Sequence, residues 1–207
     1  MEGPAEPTTD RLEAFSDGVF PVAATLLVLN LAVSPHMARG DLGPALARQW
    51  PNYATYFVSF MTIGIVWLNH HAQFRHIATA DRTLMVINLL LLMIVTLTPF
   101  PTTLLANHFN SGADEHVAAV LYASTLFAMG VAFFGSYLWC ARRHLFEGWI
   151  DEQHVSYLIR RNVKGLLVYA VAIGLAFVNA PASLALCGLV AVYYLFPARA
   201  PAAAPPV

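Results

Sequence analysis

An aspartate and two adjacent histidines are the residues whose chemistry points most directly to a functional site. Asp17 lies in the segment Arg11–Val33, RLEAFSDGVFPVAATLLVLNLAV, which is almost wholly apolar from residue 19 onward. A carboxylate in apolar surroundings needs a partner or water to compensate its charge, so it marks a functional site by default. His70 and His71 can hydrogen-bond a carboxylate, and imidazole can also relay protons near neutral pH.

The histidines also raise the question of a metal site. The sequence has one HH pair with His76 nearby, and His108, His116, His144 and His154 are scattered singly. It lacks the HxxxH or repeated HxxHH spacing of histidine-ligated membrane enzymes. We therefore expect no metal, no cofactor and no enzymatic activity, and a histidine-ligated membrane enzyme stays as a second alternative.

The segment that carries Asp17 is long enough to cross a bilayer, since its helix would span about 33 Å against about 30 Å of hydrocarbon. Helical spacing places an apolar stripe within about 40° of Val22, and Asp17 projects about 140° away from it. The stripe comprises Phe15, Gly18, Val22, Leu26, Leu29 and Val33. Spacing alone favours a helix-packing seam for such a stripe.

Pro21 interrupts this helix beside Asp17. Proline removes the hydrogen bond from position 21 to the carbonyl of residue 17, and its ring disturbs the preceding turn. A kink there is either a tolerated transmembrane proline or a hinge for the segment that follows.

Composition indicates a membrane protein, because 58% of the 207 residues are hydrophobic and only 11% are charged. A formal net charge of −1 argues against a nucleic-acid partner. Cys140 and Cys187 lie in apolar runs and are expected to be free thiols. The N-terminal MEGPAEPTTD lacks the basic region of a signal peptide, so we expect the first helix to be retained.

Hydropathy predicts an all-α integral membrane protein with six transmembrane helices per subunit and a single repeat. The transmembrane domain covers residues 10–197, and residues 1–9 and 198–207 are expected to be disordered. Pro99 and Pro101 should break or end the third helix. The six predicted helices are Arg11–Val33, Tyr53–Phe74, Thr83–Leu105, His116–Cys140, His154–Asn179 and Pro181–Phe196.

The distribution of basic residues predicts the orientation. Nine of the 11 Lys and Arg residues fall on the side of the two termini, and only Arg39 and Arg48 fall on the other. Positively charged loops stay inside, so both termini should be cytoplasmic in a multi-pass protein of the plasma membrane. Candidate partners for Asp17 then lie level with it on the second helix, namely Trp67, Asn69 and His70 or His71.

Three segments together resemble one family. R-x-x-x-F-S-D-G at residues 11–18, WLNHHAQFRHI at 67–77 and NLLLLMIVTLTPFPTTLL at 88–105 are similar to the lysosomal potassium channel family (the transmembrane protein 175 type) and its prokaryotic relatives. The motifs cover about the first half of the chain, and the second half agrees in hydropathy only.

The resemblance implies a role for each motif position. In that family the motif residues form an interhelical network, which here maps onto Arg11, Phe15, Ser16, Asp17, Trp67, His70 and His71. The family's pore constrictions map onto Val22, Leu26 and Leu29, with Gly18 and Val33 as further pore-facing positions. The family lines its pore with four first-helix equivalents from two repeats per chain, so a single-repeat chain is expected to form a homotetramer.

A side-chain constriction is also what the residues allow. The sequence contains no TVGYG-like loop, so a filter of carbonyl rings is excluded as a motif. The expected function is a leak-type, potassium-permeable cation channel with modest preference for K⁺ over Na⁺, embedded in the bilayer with its first helix lining a central pore. The alternatives from other classes are a proton channel or proton-coupled transporter that uses Asp17 and a histidine, and a non-conducting membrane scaffold.

Overall fold

A computed structural model describes residues 9–31 and 42–196, and this part of the chain is helical with no β-strand. A 3₁₀ turn, Leu27–Asn30, continues the first helix, and one antiparallel bridge joins Ile77 to Phe146. The helices are α1 (Thr9–Leu26), α2 (Leu42–Arg48), α3 (Trp50–Phe74), α4 (Arg82–Leu97), α5 (Pro99–Asn107), α6 (Ala113–Arg143), α7 (Glu152–Ala176) and α8 (Ala180–Leu195).

The all-helical prediction is confirmed, with two differences in detail. The predicted third helix is two helices, α4 and α5, that meet at Thr98, because Pro99 and Pro101 supply no backbone N–H to a continuous helix. The short helix α2 lies where the sequence predicted only a loop. Val33 and the predicted disordered ends, residues 1–8 and 198–207, lie outside the described residues, and Thr9 already belongs to α1.

Side-chain caps fix where three of the helices begin. Asp81 accepts a hydrogen bond from the Leu84 N–H (2.8 Å) at the start of α4. Asp151 and Asn179 play the same part at α7 and α8, where they accept from the N–H groups three residues on. Each cap satisfies one of the backbone donors that a helix start leaves open.

Three stretches within the described residues are long and apolar enough to cross a membrane, namely Thr9–Asn30, Arg82–Asn107 and Ala113–Arg143. Less than half of each stretch is buried inside the protomer. Much of their apolar surface therefore faces lipid or another protein chain, as expected of a multi-pass membrane protein. The count of six spans stays a prediction.

The core joins α1 to the rest of the protomer. Phe20 and Ala23 of α1 and Leu27 of the 3₁₀ turn belong to one buried core with residues of α3 to α8. Inside this core the Ser59 hydroxyl lies 2.8 Å from Thr102 Oγ1 and 3.0 Å from the Tyr122 hydroxyl, which ties α3 to α5 and α6. Polar groups buried in an apolar core need such partners, and here they hold three helices in register.

The contact between α7 and α8 depends on a glycine. A Cβ at Gly165 would lie 2.8 Å from two ring carbons of Tyr194, whose hydroxyl donates to the Arg161 carbonyl (2.9 Å). Gly165→Ala should therefore lower the stability of the detergent-solubilised protein by about 1–3 kcal/mol, as overpacking does. The measurement is the midpoint of thermal unfolding.

Gly174→Ala is the matched control for this prediction. Gly174 lies in the same helix, and a Cβ there meets no atom within 4 Å. Alanine at this position should leave the midpoint unchanged or raise it, because glycine disfavours helix by about 0.5–1 kcal/mol. Equal midpoints for the two variants would contradict the assigned packing of α7 on α8.

Candidate functional site

One face of α1 is not covered by the protomer. Phe15, Val22, Leu26 and Leu29 are between 43% and 69% exposed, and Gly18 shares their side of the helix. On the opposite face Phe20, Ala23 and Leu27 are at most 1% exposed. The predicted stripe therefore lies on the exposed side of α1, as far as the described residues extend.

The 3₁₀ turn keeps Leu26 and Leu29 aligned. In an α-helix, residues three apart are offset by about 60°, but in a 3₁₀-helix they eclipse. The turn begins at Leu27, so Leu29 follows Leu26 along the exposed face, and Leu27 points into the core. Val28 is exposed as well, so the open face is wider here than the predicted stripe.

Asp17 lies at the border between the exposed and buried faces of α1. Its Oδ1 accepts a hydrogen bond of 2.8 Å from the indole Nε1 of Trp67 on α3. Trp67 was one of four candidate partners from the sequence. The histidines are engaged elsewhere, and the Asn69 amide donates to its own helix at the Ile65 carbonyl (2.7 Å).

A second hydrogen-bonded chain runs through the buried side of the same region. The His70 Nε2 lies 2.8 Å from Asn88 Oδ1, and Asn88 Nδ2 donates to the Ser16 hydroxyl (3.0 Å). Ser16 in turn donates to the Leu12 carbonyl (2.8 Å). Since the Asn88 oxygen can only accept, His70 donates from Nε2. This series of hydrogen bonds links α1, α4 and α3 through groups that are fully buried or nearly so.

Asn88 is the member of this chain that the sequence did not single out. Asn88 is the first residue of the apolar run 88–105, and a polar amide in such a run was the feature that could have identified it as a site residue. A buried amide without partners would be unfavourable in an apolar interior, so its position predicts partners on neighbouring helices.

The remaining motif residues lie apart from these contacts. His71 Nδ1 lies 2.5 Å from Glu13 Oε1, which is the one histidine–carboxylate contact of this kind within the described residues. Arg11 and Phe15 are both exposed, and among the described residues neither joins the contacts of Asp17, Ser16 or Asn88. Within the protomer, the predicted network thus divides into the Asp17–Trp67 pair, the Ser16–Asn88–His70 chain and the His71–Glu13 pair.

The far end of the exposed face is held by Asn30. Its Oδ1 accepts from the Thr103 hydroxyl of α5 (2.5 Å), and its carbonyl accepts from Asn52 Nδ2 of α3 (3.0 Å). Val22, Leu26 and Leu29 therefore lie between two polar anchors, Ser16–Asp17 and Asn30. Pro21 lies between the same anchors, is exposed and stays within helical backbone, and its role as a hinge remains a prediction.

A groove runs alongside the exposed face, between α1 and α3. Pro21, Ala24 and Thr25 form one wall, Phe60 and Gly64 form the other, and Asp17 and Trp67 lie at one end. The groove is predominantly apolar, so a helix of another chain could pack in it without burying unpaired polar groups.

Comparisons with known proteins agree with this architecture. A family model described as "Endosomal/lysosomal potassium channel TMEM175" matches residues 11–99. A protein of Streptomyces collinus named as a potassium channel is 46% identical over 187 residues, which cover 90% of this chain and 91% of that protein. The crystal structure of a lysosomal potassium-selective channel TMEM175 homolog from Chamaesiphon minutus superposes with a TM-score of 0.78 at 35% identity, and the match covers 90% of this chain and 96% of that one.

A vertebrate protein is similar over a shorter region. The Gallus gallus protein named "Endosomal/lysosomal proton channel TMEM175" is 38% identical over 94 residues. The match covers 42% of this chain but only 19% of the vertebrate protein.

The indole of Trp67 should stabilise the α1–α3 contact. Trp67→Phe keeps an aromatic ring but removes the donor to Asp17, so we expect a loss of about 1–3 kcal/mol in unfolding free energy. The control is Trp50→Phe. Trp50 is half exposed, and its ring packs against that of Phe109 with the ring centroids 4.9 Å apart. Thermal unfolding in detergent compares the two variants, and a larger loss for the Trp50 variant would contradict the role given to Trp67.

Proposed function

Because the chain belongs to the TMEM175 family of ion channels, we propose that it is a potassium-permeable cation channel whose constriction is formed by Val22, Leu26 and Leu29. The bacterial relatives are named or described as potassium channels, which supports potassium as the permeant ion. Family membership also overturns the alternative of a histidine-ligated membrane enzyme, since these relatives are channels.

The observation that carries the proposal is the uncovered apolar face of α1. A central pore needs the same face from several subunits around a closed axis, since each protomer offers one such helix. We propose a homotetramer in which the exposed stripes meet around the pore, with Gly18 and Val33 as further pore-facing positions. The groove between α1 and α3 then receives α1 of a neighbouring copy.

The proposed constriction is hydrophobic and gates conduction by wetting and drying. Aliphatic rings offer few ligands to replace the hydration shell of an ion, so they cannot select as sharply as rings of carbonyl oxygens. K⁺ sheds water more readily than Na⁺, and a modest, leak-type preference for K⁺ follows. Val22 is smaller than leucine, so the layer at Val22 should be wider than those at Leu26 and Leu29.

The chain is a multi-pass membrane protein, and we propose the plasma membrane as its location. The excess of Lys and Arg on one side supports cytoplasmic termini. In this orientation the Asp17–Trp67 pair lies toward the cytoplasmic side and Asn30 toward the outside.

A proton channel is the second candidate, and the name of the vertebrate relatives favours it. In this chain a relay through Asp17 and a histidine would have to bridge separate contacts, because Asp17 bonds to Trp67 and His70 bonds to Asn88. The potassium proposal therefore ranks first for this chain.

Smaller side chains in the proposed constriction should raise ion conduction. Leu26→Ala and Leu29→Ala each remove bulk from the proposed pore face, so K⁺ flux into proteoliposomes should increase several-fold, since a wider apolar ring wets more easily. Leu89→Ala is the control, because the exposure of Leu89 lies between those of Leu26 and Leu29 but the residue lies on α4. Unchanged flux in both α1 variants, or an equal increase in the α4 variant, would remove the basis for this pore face.

Asp17→Asn separates the two candidate functions. Asparagine can still accept the indole hydrogen bond through its oxygen but cannot carry a proton as a carboxylate does. For a potassium channel, K⁺ flux and the K⁺/Na⁺ ratio should stay near those of the unchanged protein. Proton flux that is measured without K⁺, titrates between about pH 5 and 7 and disappears in this variant would instead establish the proton-channel function.

A further inference from the structure

A cavity lies among α3, α6, α7 and α8, away from α1 and the proposed pore face. Its volume is about 80 Å³, and it opens to the surface of the protomer. Much of its wall is apolar and includes Leu126, Met129, Phe133 and Leu166. Arg161 and Tyr137 also line it.

Arg161 is a buried cation without a carboxylate partner. Its side chain is only 8% exposed, and among the described residues no acidic group pairs with it. Nη2 donates to the Phe196 carbonyl (2.9 Å) and lies 3.5 Å from that of Tyr194, so the end of α8 compensates part of the charge. Within the described residues Nε and Nη1 have no protein acceptor, although a guanidinium offers five N–H donors.

Tyr137 supplies a second unpaired donor. This residue is 4% exposed and lines the same cavity, and its hydroxyl has no hydrogen-bond partner among the described residues. Because this hydroxyl and the guanidinium both line the cavity, both can donate to one acceptor that enters it. By contrast, the Asn162 amide donates to the Leu158 carbonyl (2.9 Å).

We propose that this cavity binds an anionic amphiphile, with its phosphate or carboxylate on Arg161 and Tyr137 and one acyl chain along the apolar wall. A guanidinium binds both kinds of oxyanion through paired N–H groups. A small inorganic anion would leave the apolar wall unfilled, and a zwitterionic lipid brings its own cation to the guanidinium. The ligand source is either an anionic phospholipid of the bilayer or a free fatty acid.

The test measures lipid binding to the full-length protein in neutral detergent by native mass spectrometry. Dioleoylphosphatidylglycerol and oleate probe the two sources, dioleoylphosphatidylcholine is the zwitterionic control, and inorganic phosphate is a head group without a chain. We expect phosphatidylglycerol or oleate to bind about tenfold more tightly than phosphatidylcholine, and phosphate alone not to bind. The tighter of the two probes identifies the source, and equal binding of all lipids overturns the proposal.

Two neighbouring arginines give a matched pair of variants. Arg161→Gln should abolish the preference for the anionic lipid. Arg160→Gln should retain it, because Arg160 is exposed and its Nε donates to the Ser156 carbonyl of its own helix. Loss of the preference in both variants would mean that surface charge alone attracts the lipid, and retention in both would place the site elsewhere.

Two further variants keep the test decisive if Arg161→Gln does not fold, since Arg161 also holds the end of α8. Tyr137→Phe removes only the unpaired hydroxyl and should weaken anionic-lipid binding several-fold. Leu166→Trp fills the cavity from its apolar side and should reduce binding of the acyl chain without changing any charge. Binding that is unchanged in both variants overturns the proposal.

Discussion

The structure depends on hydrogen bonds that tie the polar residues of α1 to neighbouring helices. Ser16 and Asp17 cannot face lipid without losing partners, because apolar surroundings offer none. Asn88 donates a hydrogen bond to Ser16, and Trp67 donates one to Asp17. These contacts fix the rotation of α1 about its own axis. The apolar face of α1 is left open as a consequence, so a polar interaction on one side decides which aliphatic residues a second chain can reach.

The sequence predicts the direction of this face because helical periodicity is a local property. A spacing of 3.6 residues per turn places Val22 and Leu26 on one side wherever the helix packs. The partner of Asp17 was less predictable, since four side chains near residue 70 have suitable donors and only the rotation of α3 selects Trp67. The role of Asn88 was not predicted for the same reason, because it depends on which helices pack against each other. The 3₁₀ turn at Leu27 was also not predicted from the sequence.

Two buried polar arrangements, one in each half of the chain, differ in the partners that compensate them. In the half that matches the family motifs, buried amides, hydroxyls and imidazole form pairs across α1, α3 and α4. In the second half, the charge of Arg161 is compensated in part by carbonyls at the end of α8 and by the rings of Tyr193 and Tyr194. The first leaves the Nδ1 of His70 buried without a partner among the described residues, and the second leaves guanidinium donors open. Hydropathy alone could not distinguish them, because it records that a residue is polar but not whether its partner is present.

The anchors of α1 also constrain how a pore of this kind could open. Ser16 and Asp17 hold one end of the stripe and Asn30 holds the other, so neither end can move without breaking hydrogen bonds to α3, α4 or α5. Pro21 lies between them and lacks the N–H that would bond to the Asp17 carbonyl. Bending there requires no further loss of a backbone hydrogen bond. A change in the width of the proposed constriction is therefore easiest between Pro21 and Leu29, where the described residues make no side-chain hydrogen bond to another helix.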